Sequence, residues 1–177
     1  DEAFLNAAIA GIFVSVAAGN AGPGSSTLDH AAPWYTTVAN STMPSETATL
    51  TLGNGQKAAG LTIGLPPGGG LENKSIVWSH DAGLPGADAG KLAQCQDGTL
   101  DASKVVGKIV VCDRGGNLLI SKSENVKAGG GLATVILNTP TSNTTVFGGS
   151  YPTPTVHIPS RFYAAITGYI SGKSDAT

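Results

Sequence analysis

Charged residues are scarce in this sequence. Only 12% of its 177 residues are Asp, Glu, Lys or Arg, roughly half of the usual share in a soluble domain. The ten basic and twelve acidic residues nearly cancel, and no basic run is long enough to attract a phosphate backbone. We therefore expect no nucleic-acid partner.

Long apolar runs are also missing. No stretch approaches the roughly 18 apolar residues that a helix needs to span a bilayer. The first four residues, Asp-Glu-Ala-Phe, have neither the basic start nor the cleavage site of a signal peptide. We expect no membrane segment and, if the protein is secreted, a signal upstream of this segment.

Cysteine occurs only twice, as Cys95 and Cys112. Two cysteines are too few for a metal site of their own, and these do not form a Cys-x-x-Cys pair. They are either two buried thiols or, in an oxidising compartment, one disulfide, which would contribute about 3 kcal/mol by closing the loop between them.

Signals for metal or cofactor binding are equally weak. The glycine-rich residues 67–70 lack the Lys-Ser/Thr that follows in a phosphate-binding loop. Four loop acids lack the spacing of a calcium loop; these are Asp81, Asp88, Asp97 and Asp101. We expect neither a metal ion nor a cofactor.

The beginning of the chain has the pattern of a parallel α/β sheet. Apolar residues at helical spacing predict a helix over residues 1–9. Residues 12–18 form a nearly continuous apolar run, which predicts a strand buried on both faces. Asn20 follows at the carboxyl end of that strand, where open α/β sheets build their sites. A further strand is predicted over residues 34–39.

The pattern changes after Ser45. Thr47, Thr49 and Thr51 alternate with apolar residues, and residues 53–55, Gly-Asn-Gly, predict a turn into an antiparallel hairpin partner. The change from continuous to alternating apolar residues predicts a domain boundary near Pro44. We therefore expect two domains, residues 1–45 and residues 46–177.

The rest of the second domain predicts a mixed β and βαβ arrangement. Its predicted elements are strands over residues 75–78, 108–112, 133–137 and 155–158, a helix opened by a capping box of Ser121 and Glu124, and a helix capped by Ser160. The fold class is therefore α/β, with a short parallel-sheet fragment followed by a mixed β/α domain.

Two groups of segments, which follow one another along the chain in the expected order, carry a family resemblance. Residues 11–23 (GIFVSVAAGNAGP), with residues 32–34 and 37–42, resemble the segment around the oxyanion-hole asparagine of subtilisin-like serine peptidases, most closely the plant type and its bacterial relatives. The second group resembles the protease-associated (PA) domain that these enzymes carry as an insert; it comprises residues 98–101, 106–115, 127–130 and 135–138.

The resemblance implies roles for three residues. Asn20 would be the oxyanion-hole residue, whose side-chain amide stabilises the negative charge that grows on a peptide carbonyl oxygen under serine attack. Without the flanking match, an Asn after a Gly would be explained by its tolerance of a left-handed turn. The resemblance also implies that Cys95 pairs with Cys112.

The resemblance further implies what the whole protein does. It would be a secreted, extracellular endopeptidase that acts on polypeptides. Residues 1–45 would pack against the rest of a subtilisin-like catalytic domain. Residues 46–177 would be the PA insert, which governs substrate access or forms subunit contacts such as a homodimer.

The catalytic residues of the family are not found in this sequence. Its Asp-Thr/Ser-Gly, His-Gly-Thr and Gly-Thr-Ser-Met segments do not occur, and no pattern places His30, His80 or His157 beside a serine. We expect this chain to be inactive alone. Two alternatives remain: a noncatalytic interaction module from about Glu46 onward and, more weakly, a free-standing binding domain unrelated to proteolysis.

Three triplets of the form Asn-x-Ser/Thr begin at Asn40, Asn73 and Asn143. Such triplets arise by chance in a chain rich in Ser and Thr, and glycosylation also requires a eukaryotic secretory route. They are compatible with secretion.

Overall fold

The computed structural model describes residues 1–19, 21–22, 24–39, 46–63, 70–142, 145–173 and 176–177. The chain divides into two compact units, Asp1–Pro44 and Ser45–Thr177. Within these described ranges, each unit has its own sheet, of two strands in the first unit and of six in the second.

The first unit contains a helix and two parallel strands. These are α1 (Glu2–Ile9), β1 (Ser15–Ala17) and β2 (Thr36–Val38). The predicted helix and parallel pairing are therefore present. The predicted burial of residues 12–18 is not found within this chain: Phe13 is 79% exposed, because the described residues of this unit form a sheet of only two strands. Tyr35 is the one buried apolar side chain among the described residues of this unit.

The second unit is built on a mixed sheet, which confirms the α/β fold class. Its strands lie in the order β3-β4-β8-β7-β6-β5. The β3–β4 hairpin and the β4–β8 contact are antiparallel, and the pairs from β8 to β5 are parallel. The strands are β3 (Glu46–Thr51), β4 (Lys57–Thr62), β5 (Ile76–Trp78), β6 (Ile109–Asp113), β7 (Ala133–Leu137) and β8 (Thr155–Ile158).

Helices connect and cover these strands. They are α2 (Ala89–Ala93), α3 (Ala102–Val105), α4 (Leu119–Ala128) and α5 (Tyr163–Ile170), with short 3-10 turns at Ser79–Asp81 and Ser160–Phe162. The segment β6-α4-β7 is the predicted βαβ unit.

Both predicted helix caps are wrong. Helix α4 begins at Leu119, so Ser121 lies inside its first turn and cannot act as an N-cap. Ser160 begins a 3-10 turn, and α5 starts three residues later without a side-chain cap. Both serines have the residue spacing of a helix cap, but each lies where the backbone is already helical.

The parallel strands are buried on both faces. Alternate residues of a strand point to opposite faces, so Val111 and Val135 pack towards α5, while Val110 and Cys112 pack towards α3 and α4. Every residue of β7 is buried. This explains why β6 and β7 read as continuous apolar runs in the sequence.

A disulfide joins Cys95, just after α2, to Cys112 in β6. Their Cα atoms are 5.5 Å apart, and both residues are fully buried. Asn125 of α4 donates from its side-chain amide to the carbonyl oxygen of Cys95. The bridge therefore fixes the α2 region against the sheet and against α4.

Lys122 of α4 is fully buried. Its Nζ donates to the carbonyl oxygens of Gln94 and Gly115, at 2.8 and 2.9 Å, and to Oδ1 of Asn117. Desolvation lowers the pKa of the Lys122 ammonium to about 8, and the nearby charge of Asp113 opposes that shift. The lysine thus connects α4 to the disulfide region and to the loop after β6.

We predict that Lys122→Met lowers the free energy of unfolding by about 2–4 kcal/mol, because three partly buried oxygen acceptors would lose their donor. Chemical denaturation of the 177-residue chain measures this change. Lys127→Met is the matched control: Lys127 lies on the same helix but is exposed, so it should change stability by less than about 0.5 kcal/mol. Equal effects of the two variants would contradict the assignment.

Candidate functional site

The predicted oxyanion residue, Asn20, lies outside the described residues, and its role stays a prediction. The backbone before it is described. Gly19 has a φ of +91°, a backbone conformation that residues with a side chain rarely adopt. The Ala18 amide donates to the carbonyl oxygen of Val38 in β2. The backbone after β1 is therefore held against β2 at Ala18, two residues before Asn20.

The three histidines do not form a catalytic pair with a serine in the described part of the chain. His30 packs edge-on against the rings of Phe4 and Tyr35. His80 contacts a carboxylate, and His157 contacts an amide and a backbone N–H. The hydroxyl of Ser79, the neighbour of His80, donates to the Ala93 carbonyl oxygen.

Polar side chains collect where the parallel strands of the second unit end, and we call this region the carboxyl edge. In this register, Asp113 of β6 lies opposite Leu137 of β7, which lies opposite Ile158 of β8. The residues that follow, Arg114 and Asn138, therefore lie next to each other. The Arg114 amide donates to the Leu137 carbonyl oxygen.

Asp113 is the centre of one cluster at the carboxyl edge. Its buried carboxylate lies 3.1 Å from Nε2 of His80 and accepts from the Tyr163 hydroxyl at 3.2 Å and from Trp78 Nε1 at 3.4 Å. The His80 ring stacks on Trp78 with a centroid separation of 3.8 Å. One carboxylate thus joins β5, the 3-10 turn after it, β6 and α5.

The Asp113 cluster is suited to anchoring, because its carboxylate already has three partners. Burial raises the pKa of Tyr163 to about 12, and the charge of Asp113 and its hydrogen bond add to the effect. Tyr163 therefore remains a neutral donor at physiological pH. Among the described residues, no serine or cysteine side chain is hydrogen-bonded to Asp113, His80 or Tyr163.

His157 of β8 is the centre of a second cluster. Its Nδ1 accepts from the Phe147 amide at 3.0 Å, so Nε2 carries the proton and donates to Oδ1 of Asn138 at 2.7 Å. Burial lowers the pKa of His157 to about 4, with a further contribution from the positive charge of Arg114. The ring is therefore neutral in the folded protein near neutral pH.

The same cluster holds the loop that follows β7. The Thr145 carbonyl oxygen accepts from Arg114 Nη1 at 2.7 Å and from Asn138 Nδ2 at 3.1 Å. The Arg114 guanidinium also lies over the Phe147 ring, 5.4 Å from its centroid. That Arg114 and Asn138 bind this loop was not predicted from the sequence. The available signal was that each of them follows directly on an apolar strand.

The opposite ends of these strands border an open groove of about 670 Å³. Its apolar floor comes from residues in the amino-terminal halves of the parallel strands, and its walls come from β3 and from residues 70–74. The floor residues are Ile76, Ile109, Val135 and Val156. The predicted glycosylation residue Asn73 is exposed and lies on the rim of this groove.

The remaining sequence expectations concern acceptor sites, metals and membranes. Asn40 and Asn143 lie outside the described residues. Within the ranges that the structure describes, no three His, Cys, Asp or Glu side chains are grouped to hold a metal ion, and no helix has the length and apolar character to cross a bilayer.

Comparison with known proteins gives one family match and many relatives. The PA domain model matches residues 77–168, more than half of the chain. The chain is 43% identical over 130 residues to Subtilisin-like protease SBT1.7 of Arabidopsis thaliana. The aligned region covers 73% of this chain and 17% of that protein. It is 35% identical over 161 residues to Subtilisin-like protease SBT5.3 of the same plant, and that alignment covers 90% of this chain and 21% of that protein. The chain thus spans about a fifth of the length of these relatives.

We predict that acid lowers the stability of the second unit partly through His157. The pKa of His157 in the folded chain, about 4, lies below its ordinary value of 6.5. As the pH falls, His157 is therefore protonated in the unfolded chain before it is protonated in the folded chain. Stability is then fully present above pH 6.5 and falls by about 3 kcal/mol as the pH drops to 4. His157→Gln should remove that part of the slope in denaturation measured from pH 7.5 to 4, whereas His30→Gln should keep it. Identical slopes in wild type and His157→Gln would contradict the prediction.

Proposed function

Because this chain belongs to the PA domain family, in the form related to plant subtilisin-like proteases, we propose that it is part of a secreted subtilisin-like serine endopeptidase. The observation that carries the proposal is the extent of the similarity. The PA model matches within the second unit, and relatives such as SBT5.3 align over 90% of the chain, which must include part of the first unit. The substrates would be polypeptides.

In this proposal the first unit supplies one catalytic group. Asn20 comes three residues after the end of β1, and its side-chain amide would be the donor. When a serine hydroxyl attacks a peptide carbonyl, a fixed N–H donor stabilises the oxyanion more than it stabilises the substrate. The serine, histidine and aspartate of the reaction would come from other parts of the protease.

Exposed apolar side chains in the first unit support a catalytic-domain partner. Several large apolar residues of this short unit are more than half exposed, which is unusual for a surface in contact with water. They are Ile9, Ile12, Phe13, Leu28 and Val38. We propose that the rest of the catalytic domain covers them.

The disulfide supports the proposed location. A fully buried Cys95–Cys112 bridge forms and persists in oxidising compartments and is rare in the cytosol. Secretion and an extracellular site of action are consistent with this bridge.

We predict that Asn20→Ala in the full-length protease lowers kcat by about 100- to 1000-fold, the size of effect that loss of such a donor has in a subtilisin. KM for a short peptide should change little, because the lost bond forms mainly in the transition state. Steady-state kinetics measure both constants. Asn54→Ala, in the β3–β4 turn of the second unit, is the control and should leave kcat unchanged. An unchanged kcat in Asn20→Ala would refute the oxyanion role.

The second unit would be noncatalytic in the same enzyme. Its carboxyl edge, the usual position of a site in an open α/β sheet, is filled by side chains that bind one another and the loop of Thr145 and Phe147. This favours a role in architecture or recognition. We propose that the unit governs substrate access or forms subunit contacts, including a homodimer. The alternative function is an interaction module with no activity of its own.

We predict that replacing residues 46–177 of the full-length protease by a flexible linker changes its selection of substrates. If the unit governs access, kcat/KM for a folded protein substrate should change while that for a short peptide stays the same. If the unit forms subunit contacts, the mass measured by sedimentation should fall to that of a monomer. Unchanged selectivity together with an unchanged mass would refute both roles.

A further inference from the structure

We propose that Asn73 carries an N-linked glycan that covers the groove beside β3. The inference rests on the proposed function only for passage through a eukaryotic secretory route. Everything else comes from the placement of Asn73, its neighbours and the groove.

The geometry of Asn73 suits a modified side chain. Asn73 is exposed, as are Glu72 and Lys74 on either side. Its φ of +51° places it in the left-handed region, which asparagine tolerates better than most residues. Within the described residues its amide has no hydrogen-bond partner, so attachment of a sugar would break no contact there. The triplet ends at Ser75, directly before β5.

The chemical step requires a lipid pyrophosphate-linked oligosaccharide as donor. The Nδ2 atom of Asn73 attacks C1 of the first sugar, and an N–C1 bond forms as the bond from C1 to the pyrophosphate oxygen breaks. The lipid pyrophosphate leaves, and Nδ2 loses one proton. The Asn-x-Ser triplet is the form that this transfer accepts. The disulfide points to the same oxidising compartment.

The groove offers a surface that suits carbohydrate. Its floor is apolar, and β3 forms one of its walls. A sugar ring has an apolar face and a rim of hydroxyl groups, so it can pack against the half-buried Ile109 and Val156 of the floor. The side chains of Thr47, Thr49 and Thr51 alternate with Leu50 and Leu52 and point to the other face of β3. Because Asn73 lies on the rim, a glycan attached to it starts at this surface.

The strand beside the groove is one that proteins normally protect. β3 is at the end of the sheet order and pairs only with β4 among the described strands. The Leu52 amide donates to the Gln56 carbonyl oxygen across the hairpin. Because hydrogen-bonded positions alternate along an antiparallel pair, Leu50 and Ala48 also bond to β4, whereas the residues between them do not. The backbone groups of Thr47, Thr49 and Thr51 therefore point to the outer edge. Such an edge invites pairing with another chain, and a bulky hydrated group beside it prevents this.

The first experiment tests occupancy in a chain secreted from a eukaryotic host. Asn40→Gln and Asn143→Gln are introduced so that Asn73 is the one remaining acceptor. We expect an intact mass that falls on treatment with peptide-N-glycosidase, with Asn73 converted to Asp in the released peptide. Asn73→Gln and Ser75→Ala should abolish the mass change, whereas Ser75→Thr and the control Asn54→Gln should retain it. Unmodified Asn73 in the secreted, folded chain would overturn the proposal.

The second experiment tests coverage of the groove. Hydrogen exchange of the Thr47, Thr49 and Thr51 amides is compared before and after enzymatic removal of the glycan. We expect faster exchange in β3 after removal and no change in the buried strand β7. Equal exchange in β3 would show that the glycan does not cover this edge. Because neither experiment measures proteolysis, failure here is distinct from failure of the oxyanion role of Asn20.

Discussion

Burial of β6 and β7 on both faces is the constraint on which the second unit depends. With α5 on one face and the disulfide, α3 and α4 on the other, water cannot reach the polar groups between these layers, so the protein must satisfy them itself. The Lys122 ammonium binds three oxygens, the His157 ring binds on both of its nitrogens, and the buried hydroxyls of Ser123 and Thr153 bind each other.

The two ends of the same strands have opposite character. At the carboxyl edge, Asp113 and His157 gather donors and acceptors from several elements, and the side chains fill the place where α/β proteins usually bind ligands. At the amino ends the strands open into an apolar groove beside an exposed strand edge. The second unit therefore has one end filled by its own side chains and one open end, and the glycan is proposed at the open end.

Local patterns predicted the elements well, and long-range contacts explain the rest. The alternation from Thr47 to Thr51 with its Gly-Asn-Gly turn gave the hairpin, and the apolar runs gave β6 and β7, because these signals act within a few residues. The caps at Ser121 and Ser160 failed because their spacing also fits other positions. The burial of residues 12–18 depends on neighbours that no local pattern contains. The partners of Lys122 and His157 lie up to 28 residues away, so neither role was predictable, and that of Asn20 stays a prediction.

Lys122 and the disulfide share one region of the structure, and their energies are therefore coupled. The Gln94 carbonyl oxygen accepts a hydrogen bond from the Lys122 ammonium, and Gln94 is the residue before Cys95. Asn125, which lies in α4 with Lys122, donates to the Cys95 carbonyl oxygen. Breaking the bridge would free the backbone that solvates the buried charge, and removing the charge would loosen the backbone that aligns the thiols. The contributions of the two are consequently not additive, and this corner of the molecule should open and close as one cooperative unit.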